Sequence, residues 1–273
     1  MRPLPLLLLL ASCSTPPPRT GAELRISWEK NYLTIHAPEV PGGQFRVLYL
    51  EAYCRTGSTD RNWRLTTIPH KTEMLPAPDD RTIRLRCRVD GGVEVEHTIT
   101  AARGEVAFEL TAVNRGAEFV DADWVQPCIQ RLGAFTGADQ QTYPAKSFIF
   151  VDGKQTFLDR ARRTEEAIYK GGQVYIPAGI DRKDANPRPH SPDVPSNGLI
   201  GCVSHDGKWI LATAWEPYQE LFQGVIVCLH SDFRLGGLKP GETKRARGRI
   251  YVLENDVDAL LRRYRTDFPE QAK

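Results

Sequence analysis

Short apolar runs that alternate with turn dipeptides fill most of this chain, and this pattern constrains the fold more than any other feature. Asp-Gly pairs stand at residues 90–91, 152–153 and 206–207, each between two apolar runs. An Asp-Gly pair in that setting is a strong hairpin signal, because the turn needs positive φ angles. The repeated hairpins predict a mostly β protein built as an antiparallel β-sandwich or supersandwich.

The densest part of the pattern is residues 198–253. Four strands are predicted there, over residues 199–204, 209–216, 225–231 and 244–253. Pro240 and Gly241 occupy the two central positions of a predicted type II turn just before the last strand, where proline and glycine are favoured. Because side chains alternate between the faces of a strand, Ile226, Cys228 and His230 are expected on one face.

Two segments break the β pattern. Residues 159–198 are polar and rich in proline, which predicts a long loop lying across one sheet. Residues 255–268 predict one C-terminal α-helix, since Val257, Leu260, Leu261, Tyr264 and Phe268 recur at helical spacing. We expect residues 21–273 to form a single domain.

The first 20 residues are predicted to be a targeting segment and not part of the folded domain. Residues 1–12 hold an apolar run too short to span a bilayer, and Leu-Ala-Ser-Cys at 10–13 resembles a bacterial lipobox. The sequence therefore predicts a signal peptide, lipidation of Cys13 and a proline-rich tether over residues 13–20. A domain held this way would lie in the bacterial cell envelope, anchored to the membrane by its lipid. An ordinary secretory signal with an accidental cysteine is the alternative.

Composition and motifs exclude several classes of function. The net charge is +2 and the basic residues are dispersed, so no nucleic-acid partner is predicted. The chain has no glycine-rich phosphate loop, no G-x-S-x-G elbow and no H-E-x-x-H motif, and we predict no cofactor. It also lacks C-x-x-C, and the remaining cysteines are expected as core residues rather than disulfides. No metal site is predicted; one that combines His70 and His230 is an option that spacing alone does not support.

Several polar side chains fall on predicted strand faces where they could meet a ligand. Tyr53, Arg55 and Glu51 share one face of a strand near residue 50, opposite an apolar face. Such a face could bind a polar planar or sugar-like ligand, or it could be a solvated face with an ion pair. Glu216 ends a strand face lined by small alanines, which fits either close packing or room for a ligand.

The end of the 198–253 stretch resembles the C-terminal end of galactose-mutarotase-like proteins, the aldose 1-epimerase superfamily of β-supersandwiches. The resemblance rests on Leu-x-Pro-Gly-Glu at 238–242, on a strand ending in a polar Asn turn at 106–116, and on residues 124–128, which stand where such proteins carry Asn-His-x-Tyr/Phe. It implies the supersandwich fold and a sugar substrate. The family's catalytic His has no counterpart at 124–126, and His230 stands where its catalytic Glu is expected.

Together the residues and the resemblance predict an envelope lipoprotein that acts on carbohydrate by acid–base chemistry, as an epimerase, lyase or hydrolase. Glu216 and His230 are the predicted general acid and base. The predicted substrate-binding residues are Glu51, Tyr53, Arg55, His70, Trp124, Gln126, Trp215 and Glu220. The alternative is a noncatalytic lipoprotein that binds glycan or assembles with envelope partners. The missing family His favours the alternative, and the polar faces and the long loop favour the enzyme.

Overall fold

Antiparallel strands build both layers of the protein, whose computed structural model describes residues 21–271. The signal peptide, the lipidation site and the tether predicted within residues 1–20 lie outside the described residues. The strands, in chain order, are β1 (Arg25–Glu29), β2 (Tyr32–His36), β3 (Gln44–Cys54), β4 (Thr67–Ile68), β5 (His70–Leu75), β6 (Thr82–Val89), β7 (Val93–Ala102), β8 (Glu105–Asn114), β9 (Trp124–Gln130), β10 (Ser147–Val151), β11 (Lys154–Phe157), β12 (Gln173–Tyr175), β13 (Ile200–Val203), β14 (Trp209–Glu216), β15 (Tyr218–Gln223), β16 (Leu229–Arg234) and β17 (Thr243–Glu254).

The helices are few and mostly short. They are α1 (Trp63–Thr66), α2 (Gly133–Thr136), α3 (Glu165–Lys170) and α4 (Val257–Asp267), with 3₁₀ turns at Ser58–Asp60, Tyr143–Lys146, Arg182–Asp184 and Pro269–Gln271. Within residues 21–271, none of the helices combines the length and the apolar character needed to cross a membrane.

The strands form two antiparallel sheets, which confirms the predicted sandwich. Sheet A has eight strands in the order β1-β2-β3-β9-β16-β15-β12, with β4 paired to β3. Sheet B has nine, in the order β11-β10-β13-β14-β17-β8-β7-β6-β5. The Asp-Gly signals mark tight hairpins, as between β10 and β11, where Asp152 and Gly153 have φ angles of 50° and 71°.

The main core lies between the two sheets. Trp215 of β14 stacks on Phe233 of β16 with ring centroids 4.4 Å apart, and the Tyr49 ring of β3 stacks near it with centroids 6.4 Å apart. A second core lies on the outer face of sheet B, where α4 packs Leu260 and Tyr264 against β14 and β17. The Asp256 side chain caps α4 by accepting a hydrogen bond from the Ala259 N–H, so the predicted C-terminal helix is confirmed.

Two parts of the chain differ from expectation. The strand predicted over residues 225–231 is confirmed only for residues 229–231, because β16 begins at Leu229 and residues 224–228 form the loop of the β15–β16 hairpin. That loop holds Val225, Ile226 and Val227, whose apolar character imitates a strand, while Val227 adopts a φ of 53°. The long loop predicted for residues 159–198 contains α3, β12 and one 3₁₀ turn.

Candidate functional site

A cavity of about 630 Å³, here called the front cavity, opens on the outer face of sheet A. Glu51 of β3, Gln126 and Cys128 of β9, and Cys228 and His230 at β16 lie at its base. Trp63 of α1 and the 186–189 part of the long segment form its walls. The cavity therefore lies between the sheet and the segment that crosses it.

Strand register explains why these side chains meet. Leu229 pairs with Ile129 and Phe233 pairs with Val125, and all four side chains point into the main core. Side chains at the intervening positions must then point outward. The same register places His230 opposite Cys128 on the floor of the front cavity, and Asp232 opposite Gln126 just behind it.

The loop between β15 and β16 is held by hydrogen bonds to its backbone. Gln140 accepts a hydrogen bond from the Val227 N–H at 2.7 Å and donates one to the Gly224 carbonyl at 3.3 Å. The Tyr143 hydroxyl also donates to the Gly224 carbonyl. These bonds fix the loop that delivers Cys228 to the floor of the front cavity.

A line of polar contacts runs along β16. Cys228 Sγ lies 3.5 Å from His230 Nε2, and His230 Nδ1 lies 3.7 Å from Asp232 Oδ1. Gln126 Nε2 donates to the other Asp232 oxygen at 3.2 Å. Among the described residues, neither His230 Nδ1 nor Asp232 Oδ1 has a closer hydrogen-bond partner. The thiol, imidazole and carboxyl groups thus stand at every second residue, from Cys228 at the end of the loop to His230 and Asp232 in β16.

Two carboxyl groups are buried behind this line. Glu220 and Asp232 are both 0% exposed, and the Asn186 N–H donates to the Glu220 carboxyl oxygens at 3.0 and 3.1 Å. Burial raises the pKa of Glu220 to about 8. Burial and then the charge of Glu220 raise the pKa of Asp232 well above its ordinary value. At least one of the two carboxyl groups is therefore protonated at neutral pH.

The two thiols of the front cavity are unequal. A hydrogen bond from Cys128 lowers the pKa of the Cys228 thiol, and the neighbouring His230 lowers it further against the effect of burial. The same hydrogen bond, together with burial, raises the pKa of Cys128. Cys228 is the thiol that lies beside the His230 imidazole, at 3.5 Å, and this neighbour favours its thiolate form.

The structure brings some of the predicted residues together. Glu51, Gln126 and His230 line the front cavity. Glu220 lies directly behind it through Asn186, and Trp124 lies behind Trp63, with ring centroids 6.3 Å apart.

Other predicted residues lie elsewhere. Tyr53 and Trp215 are 0% and 2% exposed and pack in the main core. Arg55 donates to the Thr67 carbonyl at 2.9 Å, beside α1, and His70 opens β5 at the edge of sheet B. Glu216 lines a second cavity with Arg247 and Glu270, so Glu216 and His230 do not meet in one cavity. His70 and His230 do not share a cavity either.

A register irregularity separates residues that strict alternation would place together. The pairing of β3 with β9 shifts between Leu48 and Ala52. This shift leaves Glu51 exposed at the front cavity, while Tyr49 and Tyr53 point into the core. A β-bulge changes which face a side chain occupies, and the local sequence carries no clear sign of it.

Sequence reasoning missed part of the site. Cys128 and Cys228 are buried and unbridged, as are the remaining cysteines among the described residues, yet both line the front cavity. The signal was available, because Cys128 lies two residues after Gln126 and Cys228 two before His230. The contribution of Asn186 and Arg188 depends on how the long segment crosses the sheet, which no local pattern shows.

Comparison with known proteins gives structural likeness only. No protein-family model matches the chain, and no curated protein sequence matches it. The structure is similar, at low sequence identity, to galactose mutarotase-like proteins. A galactose mutarotase-like protein from Lactobacillus casei has 7% identity and a TM-score of 0.46, covering 84% of this chain and 99% of that one. A galactose mutarotase related enzyme from Lactobacillus acidophilus has 10% identity and a TM-score of 0.43, covering 84% and 97%.

A larger protein shows a comparable likeness. An alpha-N-acetylgalactosaminidase from Bifidobacterium bifidum has 10% identity and a TM-score of 0.47. The match covers 93% of this chain and 38% of that enzyme, so this chain spans less than half of its length.

Proposed function

We propose that this protein binds a saccharide in the front cavity. The observation that carries the proposal is that a partly exposed tryptophan and several polar side chains line the same cavity. Trp63 is 38% exposed at the cavity wall, while Glu51, Gln126 and Arg188 line the same space. An indole offers a flat apolar surface to the C–H face of a sugar ring, and the polar groups can hydrogen-bond its hydroxyls.

The position of Trp63 is fixed by its supports. Its ring lies against Trp124, whose indole N–H donates to the Ser58 hydroxyl at 3.1 Å. The Asn62 side chain caps α1 by accepting a hydrogen bond from the Arg64 N–H at 2.9 Å. A ring held in this way needs little reorganisation on binding, and such preorganisation favours affinity.

Binding is tested by calorimetric titration of the protein with a panel of oligosaccharides. For any ligand that binds, Trp63→Ala should weaken the affinity at least tenfold, or about 1.4 kcal/mol. Phe119→Ala is the matched control, because Phe119 is an exposed aromatic residue outside the front cavity. Equal affinities for the wild type and Trp63→Ala would refute the proposed site.

A second candidate is acid–base catalysis on the bound sugar, favoured by the line of contacts along β16. His230 presents Nε2 at the cavity floor, with Asp232 Oδ1 3.7 Å behind Nδ1. An imidazole backed by a carboxyl group is a common proton-transfer group. We expect His230→Gln to abolish turnover of a sugar substrate and Glu216→Gln, in the other cavity, to leave it unchanged. Turnover that survives His230→Gln would exclude this candidate.

We propose the bacterial envelope as the place where this binding occurs, on the basis of the lipobox predicted at residues 10–13. With a lipid on Cys13, the domain would act on saccharides at the bacterial envelope.

A further inference from the structure

We propose that Cys128, Cys228 and His230 form a binding site for a thiolate-preferring transition metal ion of the zinc class, with its open coordination position facing the front cavity. The three potential ligand atoms all lie within 4.8 Å of one another, and all three residues are buried. The inference rests on the arrangement of these residues.

The ligand spacing fits the chemistry. A tetrahedral zinc ion, with Zn–S bonds of about 2.3 Å and Zn–N bonds of about 2.0 Å, separates neighbouring ligand atoms by about 3.5 to 3.8 Å. Cys228 Sγ and His230 Nε2 are 3.5 Å apart. The remaining pairs lie within 4.8 Å, so small side-chain rotations close the site.

The backbone holds the ligands on paired strands. Cys128 belongs to β9 and His230 to β16, which are neighbours in sheet A, and the register places the two residues opposite each other. Cys228 precedes His230 by two residues and shares its face. Two ligands therefore come from rigid strands, and the third comes from the anchored loop.

Asp232 supplies the outer support that a metal-binding histidine needs. A histidine that binds metal through Nε2 typically donates its Nδ1–H to a carboxylate or carbonyl, which fixes the ring and its tautomer. His230 Nδ1 and Asp232 Oδ1 lie 3.7 Å apart, and neither has another hydrogen-bond partner among the described residues. A metal ion on Nε2 would give both atoms a defined role.

Because Gly224 has no side chain, it leaves room for Cys228 Sγ beside His230 Nε2. A Cβ atom at this position would lie 2.1 Å from Cys228 Sγ and 3.3 Å from His230 Nε2. Any other residue would therefore displace the thiol from its place beside the imidazole. The protein contributes three ligands and the cavity stays open on one side, which is the pattern of zinc sites that keep a position for water or ligand.

The inference goes beyond saccharide binding and can fail independently of it. A metal ion would occupy the His230 Nε2 atom that the acid–base candidate needs for proton transfer, so the two uses of His230 exclude each other. Metal binding is measured without any sugar, and Trp63→Ala should leave it unchanged.

The test is titration of the reduced, metal-stripped protein with Co²⁺, a spectroscopic probe for zinc sites. We expect one equivalent to bind, with the visible bands of tetrahedral cobalt and a thiolate-to-cobalt charge-transfer band, and zinc should displace it. Cys128→Ala, Cys228→Ala and His230→Gln should each weaken binding at least tenfold. Cys202→Ala is the matched control, because Cys202 is an equally buried cysteine that faces no other candidate ligand.

A milder variant protects the test against misfolding. Asp232→Asn should weaken cobalt binding about 10- to 100-fold and keep the thiolate charge-transfer band, since Asp232 supports His230 without touching the ion. Absence of a thiolate band in the reduced wild type, or equal loss in Cys202→Ala, would overturn the proposal. The proposal would also be overturned if Cys128 and Cys228 form a disulfide and the protein still binds no cobalt after that disulfide is reduced.

Discussion

Glu220 and Asp232 lie directly opposite each other on β15 and β16, and both carboxyl groups are fully buried. Two carboxyl groups so placed cannot both ionise without a large cost, so the pair holds a proton at pH values where exposed carboxylates are charged. The pair stands behind the front cavity and ties β15 to the long segment through Asn186.

Glu220→Gln should make the stability of the protein less dependent on pH. Burial raises the pKa of Glu220 to about 8 in the folded protein, above its ordinary value of 4.5. The contribution of Glu220 to the stability of the folded protein is therefore fully present below pH 4.5 and is lost as the pH rises through 8. A glutamine side chain stays neutral at every pH. We therefore expect the free energy of unfolding of the variant at pH 8 to exceed that of the wild type by more than about 1 kcal/mol.

Urea unfolding at pH 5 and pH 8 measures this difference. Glu216→Gln, at a half-exposed carboxyl group in the other cavity, is the matched control and should follow the wild type. An unchanged pH dependence in Glu220→Gln would contradict the expectation.

His97 should make the fold sensitive to acid. The imidazole is buried on β7, with Nδ1 3.1 Å from the Tyr49 hydroxyl, and burial lowers its pKa to about 3. The folded pKa lies below the ordinary 6.5, so its contribution is complete above pH 6.5 and is lost as the pH falls toward 3. In thermal unfolding from pH 7 to pH 4, His97→Gln should lose less of its own stability than the wild type does. His205→Gln, at an exposed site, should match the wild type, and a parallel loss in all three proteins would argue against His97.

Gly248→Ala should destabilise the fold by about 1 to 3 kcal/mol. A Cβ atom at this position in β17 would lie 2.5 Å from the Trp215 ring. That ring cannot retreat, because it stacks on Phe233 at 4.4 Å in the main core. The measurement is the free energy of unfolding in urea. A change below about 0.5 kcal/mol, as surface substitutions give, would show that the core has unexpected room.

Cys13→Ala should move the protein from the membrane fraction to the soluble fraction of the cells that express it. Lipidation of this cysteine is the basis of the predicted anchor, and acyl chains hold a soluble domain on a membrane. Cys202→Ala, in the folded core, should remain with the membrane. Immunoblotting of the two fractions gives the answer, and unchanged partition of Cys13→Ala would refute the lipobox.

Local chemistry made part of the fold predictable. Asp-Gly turns located hairpins because the required φ angles suit few residues, and apolar residues at helical spacing located α4. The strand predicted over residues 225–231 begins too early, because Val225, Ile226 and Val227 have strand character but occupy a loop held by Gln140. Tertiary contacts decided the outcome there.

The candidate site was only partly predictable for the same reason. Gln126 and His230 were predicted as site residues and both line the front cavity, because alternation along a strand is local. The prediction that Glu216 acts together with His230 was wrong, because Glu216 belongs to sheet B and His230 to sheet A. No local pattern shows which sheet a strand joins. The bulge in β3, which separates Glu51 from Tyr53, depends on the pairing with β9 and is invisible in the sequence of β3 alone.

The long segment over sheet A has a small core of its own. Val174, Ile176 and Ala185 cluster there with Phe222 of β15, apart from the main core between the sheets. A region that buries little apolar surface opens at lower free energy than the body it covers. We therefore expect the wall of the front cavity to open at lower free energy than the sandwich, so that the backbone amides of β12 exchange with deuterium before those of β8 and β17. Ligand entry would then need no disturbance of the sandwich.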